Sequence, residues 1–306
     1  MRRHLQSYLF ALAFGTLLAA TPSLAQPPSQ GCWTDCGGVS FGSPGFVTAS
    51  ASTDVFVQYS EALFARFDLV GGCDLSWQVR PIATPPFLAW SGTGVDPDGN
   101  LLAAERTYAL IHKWSRNGDS LLVWGGFGSG PGKFSMMFGL ACDRFGNVFV
   151  GDYNLARVQR FTTSGAYLGE WNVFGSVVAL AADDSGYVYV GLGTRINKYT
   201  STGTLITTWG SQGTGTGQFL SAGIMACDHL GNIFVNDTQR DVIQVFTTSG
   251  VYQYQWDAPG AGGLACDAQN NLYVGFSSPD SRVCKYGPGP VPARSTSWGR
   301  VKTFYR

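Results

Sequence analysis

The octapeptide DHLGNIFV at residues 228–235 decides the fold, because close variants of it recur along the chain. Each copy has an aspartate, two variable residues, a glycine or asparagine, a polar or aromatic residue and then an alternating apolar run. The other four copies are DPDGNLL at 96–102, DRFGNVFV at 143–150, DDSGYVYV at 183–190 and DAQNNLYV at 267–274. Self-similarity at a regular period is the signature of a repeat architecture. The chain is therefore predicted to repeat one small structural module.

A second marker follows each copy. An aromatic residue and a turn glycine come about eighteen residues after the aspartate, and a tryptophan stands six residues beyond that glycine. The tryptophans in this register are Trp77, Trp124, Trp171, Trp209 and Trp256, with Trp298 as a more widely spaced sixth. Their spacing of roughly 40–47 residues gives the length of the module.

Each module has the sequence pattern of four short strands. In one module, alternating apolar residues between glycine-rich turns place strands at residues 139–142, 148–151, 157–161 and 166–171. Four strands in about 45 residues are typical of a propeller blade. With a degenerate first copy at residues 55–67, the chain predicts an all-β, six-bladed β-propeller of four-stranded antiparallel blades. We expect the tryptophans to fill the gaps between blades.

The ring has to close, because an open end would expose an apolar blade face and free strand edges. The closing strand comes either from the N-terminal segment before residue 46 or from residues 295–303. The predicted organisation is thus a signal peptide at 1–25, an N-terminal segment at 26–44, the propeller at 45–298 and a basic and aromatic tail at 299–306.

The N-terminus has the pattern of an export signal. Two arginines precede an apolar run at residues 8–20, and the small-residue sequence SLA at 23–25 predicts cleavage after Ala25. The run is shorter than the about 20 apolar residues that span a bilayer, so we expect a periplasmic or secreted protein with no transmembrane segment. Removal of Arg2 and Arg3 leaves 18 basic against 20 acidic residues, a net charge of −2. This balance disfavours a nucleic acid partner, and we expect a monomer.

The best repeat resembles a known family. GTGQF at residues 215–219, GIMACD at 223–228, GNIFVND at 231–237 and IQVF at 243–246 together resemble the NHL repeat, and residues 130–161 match it almost as well. The resemblance covers roughly residues 90–286. It implies a six-bladed ring and a role as an interaction domain, since NHL propellers commonly bind other molecules through one face.

The seven cysteines fall into two groups. Those that directly precede a repeat aspartate are Cys142, Cys227 and Cys266. We expect these three to be small buried residues. The other four are Cys32, Cys36, Cys73 and Cys284, which allow three pairings in an oxidising compartment. Because the first and last blades are neighbours in a closed ring, at least one disulfide among these four would lock the closure.

Acidic residues occur at two repeated positions. The first set is the repeat aspartates Asp96, Asp143, Asp183, Asp228 and Asp267, whose short carboxylates are expected to cap turns. The second set, nine residues later, is Glu105, Asp152 and Asp237, for which we expect ion pairs with Arg157, Arg195 or Arg282. The alternative for this second position is calcium binding through oxygen ligands at the channel mouth. The candidate ligands are Asp152, Asn154, Asn236 and Asp237.

The inventory of reactive residues argues against an enzyme. Only His112 and His229 remain after export, too few for the three-histidine zinc site of the lyases that resemble this family. No nucleophile elbow or phosphate-binding glycine loop is present. The sequence therefore favours a non-catalytic module that binds a protein, peptide or glycan. A calcium-dependent hydrolase or lyase that uses the central channel and a structural envelope protein are the alternatives.

Overall fold

The computed structural model describes residues 29–33, 35–36, 39–40, 45–50, 54–60, 63–68, 71–78, 89–277 and 281–287. Within these ranges the regular secondary structure consists of β-strands alone. The N-terminal strands are β1 (Ser29–Trp33), β2 (Asp35–Cys36) and β3 (Val39–Ser40). Strands β2 and β3 pair as a small antiparallel ladder. The predicted signal peptide and C-terminal tail, with Trp298, lie outside the described residues.

The remaining strands form six sheets. Blade 1 comprises β4 (Phe46–Ala49), β5 (Asp54–Ser60), β6 (Leu63–Asp68) and β7 (Cys73–Gln78). Blade 2 comprises β8 (Trp90–Val95), β9 (Leu101–Glu105), β10 (Leu110–Trp114) and β11 (Ser120–Gly125). Blade 3 comprises β12 (Met137–Cys142), β13 (Asn147–Asp152), β14 (Arg157–Thr162) and β15 (Tyr167–Asn172). The predicted strands of blade 3 thus fall within two residues of the observed ones.

The second half of the ring repeats the pattern. Blade 4 comprises β16 (Ala179–Ala182), β17 (Val188–Gly191), β18 (Ile196–Tyr199) and β19 (Leu205–Trp209). Blade 5 comprises β20 (Ala222–Cys227), β21 (Asn232–Asp237), β22 (Val242–Thr247) and β23 (Tyr252–Asp257). Blade 6 has β24 (Ala261–Cys266), β25 (Leu272–Phe276) and β26 (Arg282–Tyr286), and takes its fourth strand from the N-terminus.

Consecutive strands pair antiparallel in every blade, as the repeat predicts. The innermost strands contact one another in the order β4, β8, β12, β16, β20 and β24, and β24 returns to β4. Six apolar clusters lie between neighbouring blades, one for each junction of the ring. Each blade buries both of its faces only against its neighbours, which confirms the six-bladed β-propeller.

The ring closes in blade 6. Strand β1 pairs antiparallel with β26, and Cys32 faces Cys284 in this register. The two residues form a disulfide across 252 positions of sequence. The prediction of at least one disulfide is therefore confirmed. Cys73 is also disulfide-bonded, and the side chain of Cys36 lies outside the described residues.

Tryptophans from one blade cover turn glycines of the next. A Cβ atom on Gly118 would lie 2.9 Å from the Trp77 ring, and one on Gly203 would lie 2.5 Å from the Trp171 ring. Both glycines also have positive φ, 84° and 90°, which side chains disfavour. Glycine is thus required at this turn for two reasons. The pattern holds at Gly165 and Gly250 with Trp124 and Trp209.

At the closing junction the equivalent tryptophan is Trp33 of β1. Its indole covers Gly71 of blade 1 and stacks on Phe67, with ring centroids 5.6 Å apart. Sequence spacing had assigned this place to Trp298. The spacing rule fails here because blade 6 is assembled from both ends of the chain, so its tryptophan precedes the other five in sequence.

Candidate functional site

The ring has two ends that differ in construction. One end, here called the turn face, carries the turn between the first and second strands of each blade and, in blades 1 to 5, the turn between the third and fourth strands. The opposite end, the loop face, carries the connections between second and third strands and those that link successive blades. The repeat aspartates lie on the turn face, whereas Glu105, Asp152 and Asp237 lie on the loop face.

On the turn face the aspartates satisfy their own turns. The Asp228 carboxylate accepts hydrogen bonds from the amides of Leu230 and Asn232, at 3.0 and 2.7 Å, and from Asn232 Nδ2 at 2.7 Å. Asp96, Asp143 and Asp267 accept the same set. In blade 4 Asp183 accepts the two turn amides as well, and the hydroxyl of Tyr189, at 2.7 Å, replaces the asparagine side chain as donor. All five carboxylates are buried and fixed by the repeat.

Basic side chains of the third strands also tie neighbouring blades together at this face. Each donates to a backbone carbonyl in the turn between the third and fourth strands of the next blade. The four pairs are Arg66 with Arg116, Lys113 with Thr163, Arg160 with Ser201 and Lys198 with Thr248. Lys113 also lies 2.7 Å from Asp96. We did not predict these bonds, although a basic residue at one position of four repeats was a readable signal.

Three free thiols lie along the turn-face half of the central channel. Cys142, Cys227 and Cys266 line a cavity of about 130 Å³ there and pack against the interblade clusters. Burial raises the pKa of all three thiols, and nearby aspartates add to the effect. They are therefore protonated at neutral pH and lack the thiolate that a nucleophile needs.

The loop-face acids are occupied by their own connections. Asp152, fully buried, accepts hydrogen bonds from the amides of Ser135, Met136 and Leu155, at 2.9 to 3.2 Å. Its carboxylate lies 4.0 Å from Arg157. Asp237 likewise accepts from the amides of the residues before β20, and Arg240 lies 3.7 Å from it. Glu105 accepts from the amides of the two residues that follow its neighbour Arg106.

The calcium candidates do not meet. Asp152 and Asn154 belong to blade 3 and Asn236 and Asp237 to blade 5, so blade 4 stands between them. Asn154 donates to Ser135 Oγ, and Asn236 donates to the carbonyl of Ala261 at 2.6 Å. Among the described residues no three His, Cys, Asp or Glu side chains converge to hold a metal ion. The four residues therefore do not fit one calcium site.

The loop-face end of the channel opens into an apolar cavity of about 250 Å³. All six innermost strands or their entry residues contribute to it. Its apolar wall includes Phe46, Trp90, Phe138, Ile224, Met225 and Leu264. Ser91, Thr93 and Thr238 add hydroxyl groups. A concave apolar pocket with a few polar groups is the usual form of a ligand site.

Aromatic side chains of blade 3 and of the loop that follows it lie on the same face as this cavity. Phe138 lines the cavity and packs on Tyr153, with ring centroids 5.3 Å apart, and Tyr153 is 37% exposed. The loop from blade 3 to blade 4 then presents Phe174, which is 85% exposed. This loop is joined to blade 3 by the bond from the Val173 amide to the Ala156 carbonyl. We call Phe138, Tyr153 and Phe174 the aromatic rim.

Phe174 has an unfavourable backbone conformation. Its φ of +50° lies in the left-handed region, which bulky residues rarely adopt. Positive φ at Ala109, Ala156 and Asp241 recurs at one repeat position before the third strand, where each carbonyl accepts a bond from the outgoing loop. The exposed Phe127 occupies the equivalent position in the connection from blade 2 to blade 3, three residues after Trp124, but only Phe174 has a positive φ there. A strained and exposed aromatic residue is a candidate binding residue.

Two exposed arginines flank the aromatic rim. Arg106 of blade 2 lies over the Phe138 ring, 5.1 Å from its centroid. Arg195 of blade 4 donates from Nη2 to the Phe174 carbonyl at 2.9 Å. Neither forms an ion pair with any acidic residue in the described part of the chain. We had expected a carboxylate partner for Arg195, and instead its guanidinium supports the loop that carries Phe174.

Neither histidine lines this cavity. His112 is buried in β10 and stacks on Trp114, and burial lowers its pKa from 6.5 to about 4. It is therefore neutral at pH 7. His229 lies on the turn face, where its Nδ1 contacts the carboxylate of Asp184. Neither is placed to act on a ligand in the loop-face cavity.

Comparison with known proteins agrees on the fold alone. No protein-family model and no curated protein sequence matches the chain, so the NHL resemblance stays a prediction. A catalytically inactive virginiamycin B lyase from Staphylococcus aureus, solved with quinupristin, aligns over 78% of each chain with a TM-score of 0.56 and 12% identity. A streptogramin B lyase aligns over 84% of this chain and 86% of its own, with a TM-score of 0.58 and 14% identity.

The WD40 repeats of RRP9 align over 86% of this chain and 99% of their own, with a TM-score of 0.59 and 12% identity. The structural neighbours therefore include both lyases and repeat propellers of the WD40 type. At such identities the likeness establishes the β-propeller and leaves the activity open. In the described residues there is also no helix of the length and apolarity that crossing a membrane requires.

Proposed function

We propose that this protein is a non-catalytic binding module of the NHL type that acts outside the cytoplasm and takes a peptide or protein segment at the loop-face cavity. The single observation that carries the proposal is the apolar cavity of about 250 Å³ on the loop face, the face that also carries the exposed, strained Phe174. Aromatic anchors at a desolvated pocket dominate the energy of peptide and protein recognition.

A peptide fits this surface better than a glycan does. The wall of the cavity is mainly aliphatic and aromatic, so its main gain on binding is burial of an apolar side chain. Propellers also bind through loops on a rigid scaffold, where loop residues can vary without loss of the fold. The WD40 likeness supports the same kind of role by analogy of fold.

Location outside the cytoplasm rests on two observations. The disulfide between Cys32 and Cys284 closes the ring, and such bonds persist in oxidising compartments. The sequence before Ala25 has the pattern of a cleaved export signal. Mass spectrometry of the protein recovered from the envelope or medium tests this part, with a mature N-terminus at Gln26 as the expected result.

The catalytic alternative has little support in the geometry of the described residues. Asp152 and Asp237 are saturated by amides of their own loops, and the channel thiols are protonated. His112 is buried and neutral. A structural envelope role is the remaining alternative, and it predicts no saturable ligand at the loop face.

Peptide selection tests the binding role. A displayed random-peptide library is selected on the mature protein, and the enriched peptides are then measured against Thr238→Trp and Phe174→Ser. Thr238 is exposed and lines the cavity, so the indole would narrow the opening without entering the core. We expect saturable binding that weakens about tenfold or more in both variants, the loss of a typical binding anchor.

The control is Phe145→Ser. Phe145 is a 61% exposed phenylalanine on the turn face, so it matches Phe174 in chemistry and differs in place. Its substitution should leave peptide binding unchanged. The loop-face site would be excluded if no peptide from the library binds saturably. It would also be excluded if Phe145→Ser weakens peptide binding as much as Phe174→Ser does.

A further inference from the structure

The exposed charges of the loop-face connections in blades 2 to 4 have one sign, whereas the connection of blade 5 adds the exposed Asp241. In the loop-face connections of blades 2 to 4 the exposed charged residues are Arg106, Lys133 and Arg195. The acids of these connections are Glu105 and Asp152, which are completely buried against backbone amides. This sector is therefore basic on a chain that is close to neutral in total. A basic sector on one side of an apolar pocket favours a ligand that is both apolar and anionic.

Arg106 and Arg195, which have no acidic partner among the described residues, can each bind a carboxylate. A guanidinium has five N–H donors in a planar fork that matches a carboxylate in two parallel hydrogen bonds. Arg106 is held over Phe138 by its ring contact and donates no hydrogen bond from its side chain to a described residue. Arg195 uses Nη2 for the Phe174 carbonyl and has further donors that face no acid. Both side chains are thus fixed in direction while donors remain available.

The same contacts place the arginines on opposite sides of the aromatic rim. Arg106 belongs to the connection after β9 in blade 2, and Arg195 belongs to the connection before β18 in blade 4. The rim of blade 3 lies between them, and its Phe138 lines the cavity. A peptide bound on this face at blade 3 would therefore have one cation on blade 2 and a second cation on blade 4.

We infer that the ligand of this site is an acidic peptide segment, with an apolar side chain in the cavity and Asp or Glu carboxylates on Arg106 and Arg195. This inference rests on the proposed function and narrows its ligand class. An acidic polysaccharide would satisfy the arginines and would leave the aliphatic wall of the cavity without a partner. The apolar cavity together with Arg106 and Arg195 therefore favours an acidic peptide over a polysaccharide.

Three labelled peptides test the charge requirement by fluorescence anisotropy. Each has a central phenylalanine, flanked on both sides by glutamates, glutamines or lysines. We expect the glutamate peptide to bind the wild-type protein about tenfold tighter than the glutamine peptide, and the lysine peptide to bind weakest. The advantage of the glutamate peptide should shrink as salt screens the charges.

Two sets of variants separate this inference from the proposed function. In Arg106→Gln/Arg195→Gln the glutamate peptide should fall to the affinity of the glutamine peptide, whose own binding persists. In Phe174→Ser both peptides should weaken. Arg144→Gln is the matched control, because Arg144 lies over the exposed Phe145 at 4.9 Å on the turn face. It should leave all affinities unchanged.

The outcomes are distinct. Equal binding of the glutamate and glutamine peptides to the wild-type protein would overturn the acidic ligand and leave the peptide-binding role intact. Binding of no peptide, together with a failed library selection, would overturn the proposed function itself. Saturable binding of polygalacturonate that is lost in Arg106→Gln/Arg195→Gln, with no peptide bound, would replace the peptide by an acidic polysaccharide.

Discussion

The polar residues of the turn face and of the loop face differ in their hydrogen-bond and ion-pair partners. On the turn face, buried aspartates accept the amides of their own turns, and basic side chains bond to carbonyls of the next blade. On the loop face, Arg106 and Arg195 have no acidic partner among the described residues, and Phe174 is exposed in a strained conformation. The turn face is regular because it stabilises the ring. The loop face is irregular where it is free to bind.

Opening the ring is the strongest way to break this comparison, because both faces depend on closure. Cys32→Ser/Cys284→Ser removes a bond that spans 252 residues. Loop-closure entropy predicts a loss of about 5.5 kcal/mol in the free energy of unfolding. Guanidinium denaturation without reductant measures it, with Cys142→Ser, a free thiol, as the control. A loss below about 1 kcal/mol would mean that the β1 ladder closes the ring without help from the disulfide.

Removing a turn aspartate should show that the turn face is structural. In Asp228→Ala the two amides and the Asn232 side chain lose their acceptor at a buried site. We expect a loss of about 3 kcal/mol, because each stranded polar group costs about 1 kcal/mol or more. Leu230→Ala, at a 56% exposed residue of the same turn, should change stability by less than about 0.5 kcal/mol. Comparable losses in the two variants would refute the capping role.

Two turn glycines separate the effect of the tryptophan contact from that of backbone conformation. Gly203 and Gly231 have φ of 90° and 84°, but a Cβ on Gly203 would lie 2.5 Å from Trp171, whereas one on Gly231 would approach nothing closer than 3.7 Å. We expect Gly203→Ala to cost about 2 kcal/mol more than Gly231→Ala, the usual cost of overpacking. Thermal denaturation of the pair tests it. Equal losses would show that the blade junction adapts to the extra atom.

Acidification should affect stability before it affects binding. The pKa of His112 is about 4 in the folded protein and 6.5 in the unfolded chain, because burial disfavours the charged ring. The unfolded chain therefore binds more protons between these values, so stability is complete above pH 6.5 and falls as pH decreases towards 4. Between pH 6.5 and 5 the loss is about 2 kcal/mol.

Denaturant titrations at several pH values, with His112→Phe for comparison, measure this effect. In His112→Phe the free energy of unfolding should no longer show this fall between pH 6.5 and 5. Free glutamate has a pKa of about 4.3, so affinity for a glutamate peptide should stay nearly constant down to pH 5.5. An unchanged slope in His112→Phe would assign the pH dependence to other groups.

The repeat made the turn face predictable and left the loop face obscure. Asp143 and Trp171 recur in register, so blade boundaries, turn caps and blade contacts could be predicted from one chain. Trp33 escaped prediction because its blade combines both ends of the sequence. Phe174 and Arg106 escaped because the residue type at their positions varies from blade to blade: Tyr153 and Thr238 stand where Arg106 does. A binding site formed by departures from the repeat has no periodic signal, and only the closed ring brings such residues together.

Substitution by glycine usually destabilises a protein, but Phe174→Gly should stabilise this one. Glycine adopts φ of +50° without strain, and the side chain that it removes is 85% exposed, so little packing is lost. We expect the free energy of unfolding to rise by about 1 kcal/mol. Removing the strain of a bulky residue in the left-handed region stabilises the protein, and the greater conformational freedom of glycine in the unfolded chain offsets part of that gain. Binding of the glutamate peptide should weaken in the same variant. Phe145→Gly on the turn face, which relieves no positive φ, should give no such gain. A variant that is more stable and binds more weakly would mean that the strained conformation of Phe174 serves ligand binding. A less stable variant would mean that Phe174 supports the fold. The contrast between the two faces would then be smaller than their geometry suggests.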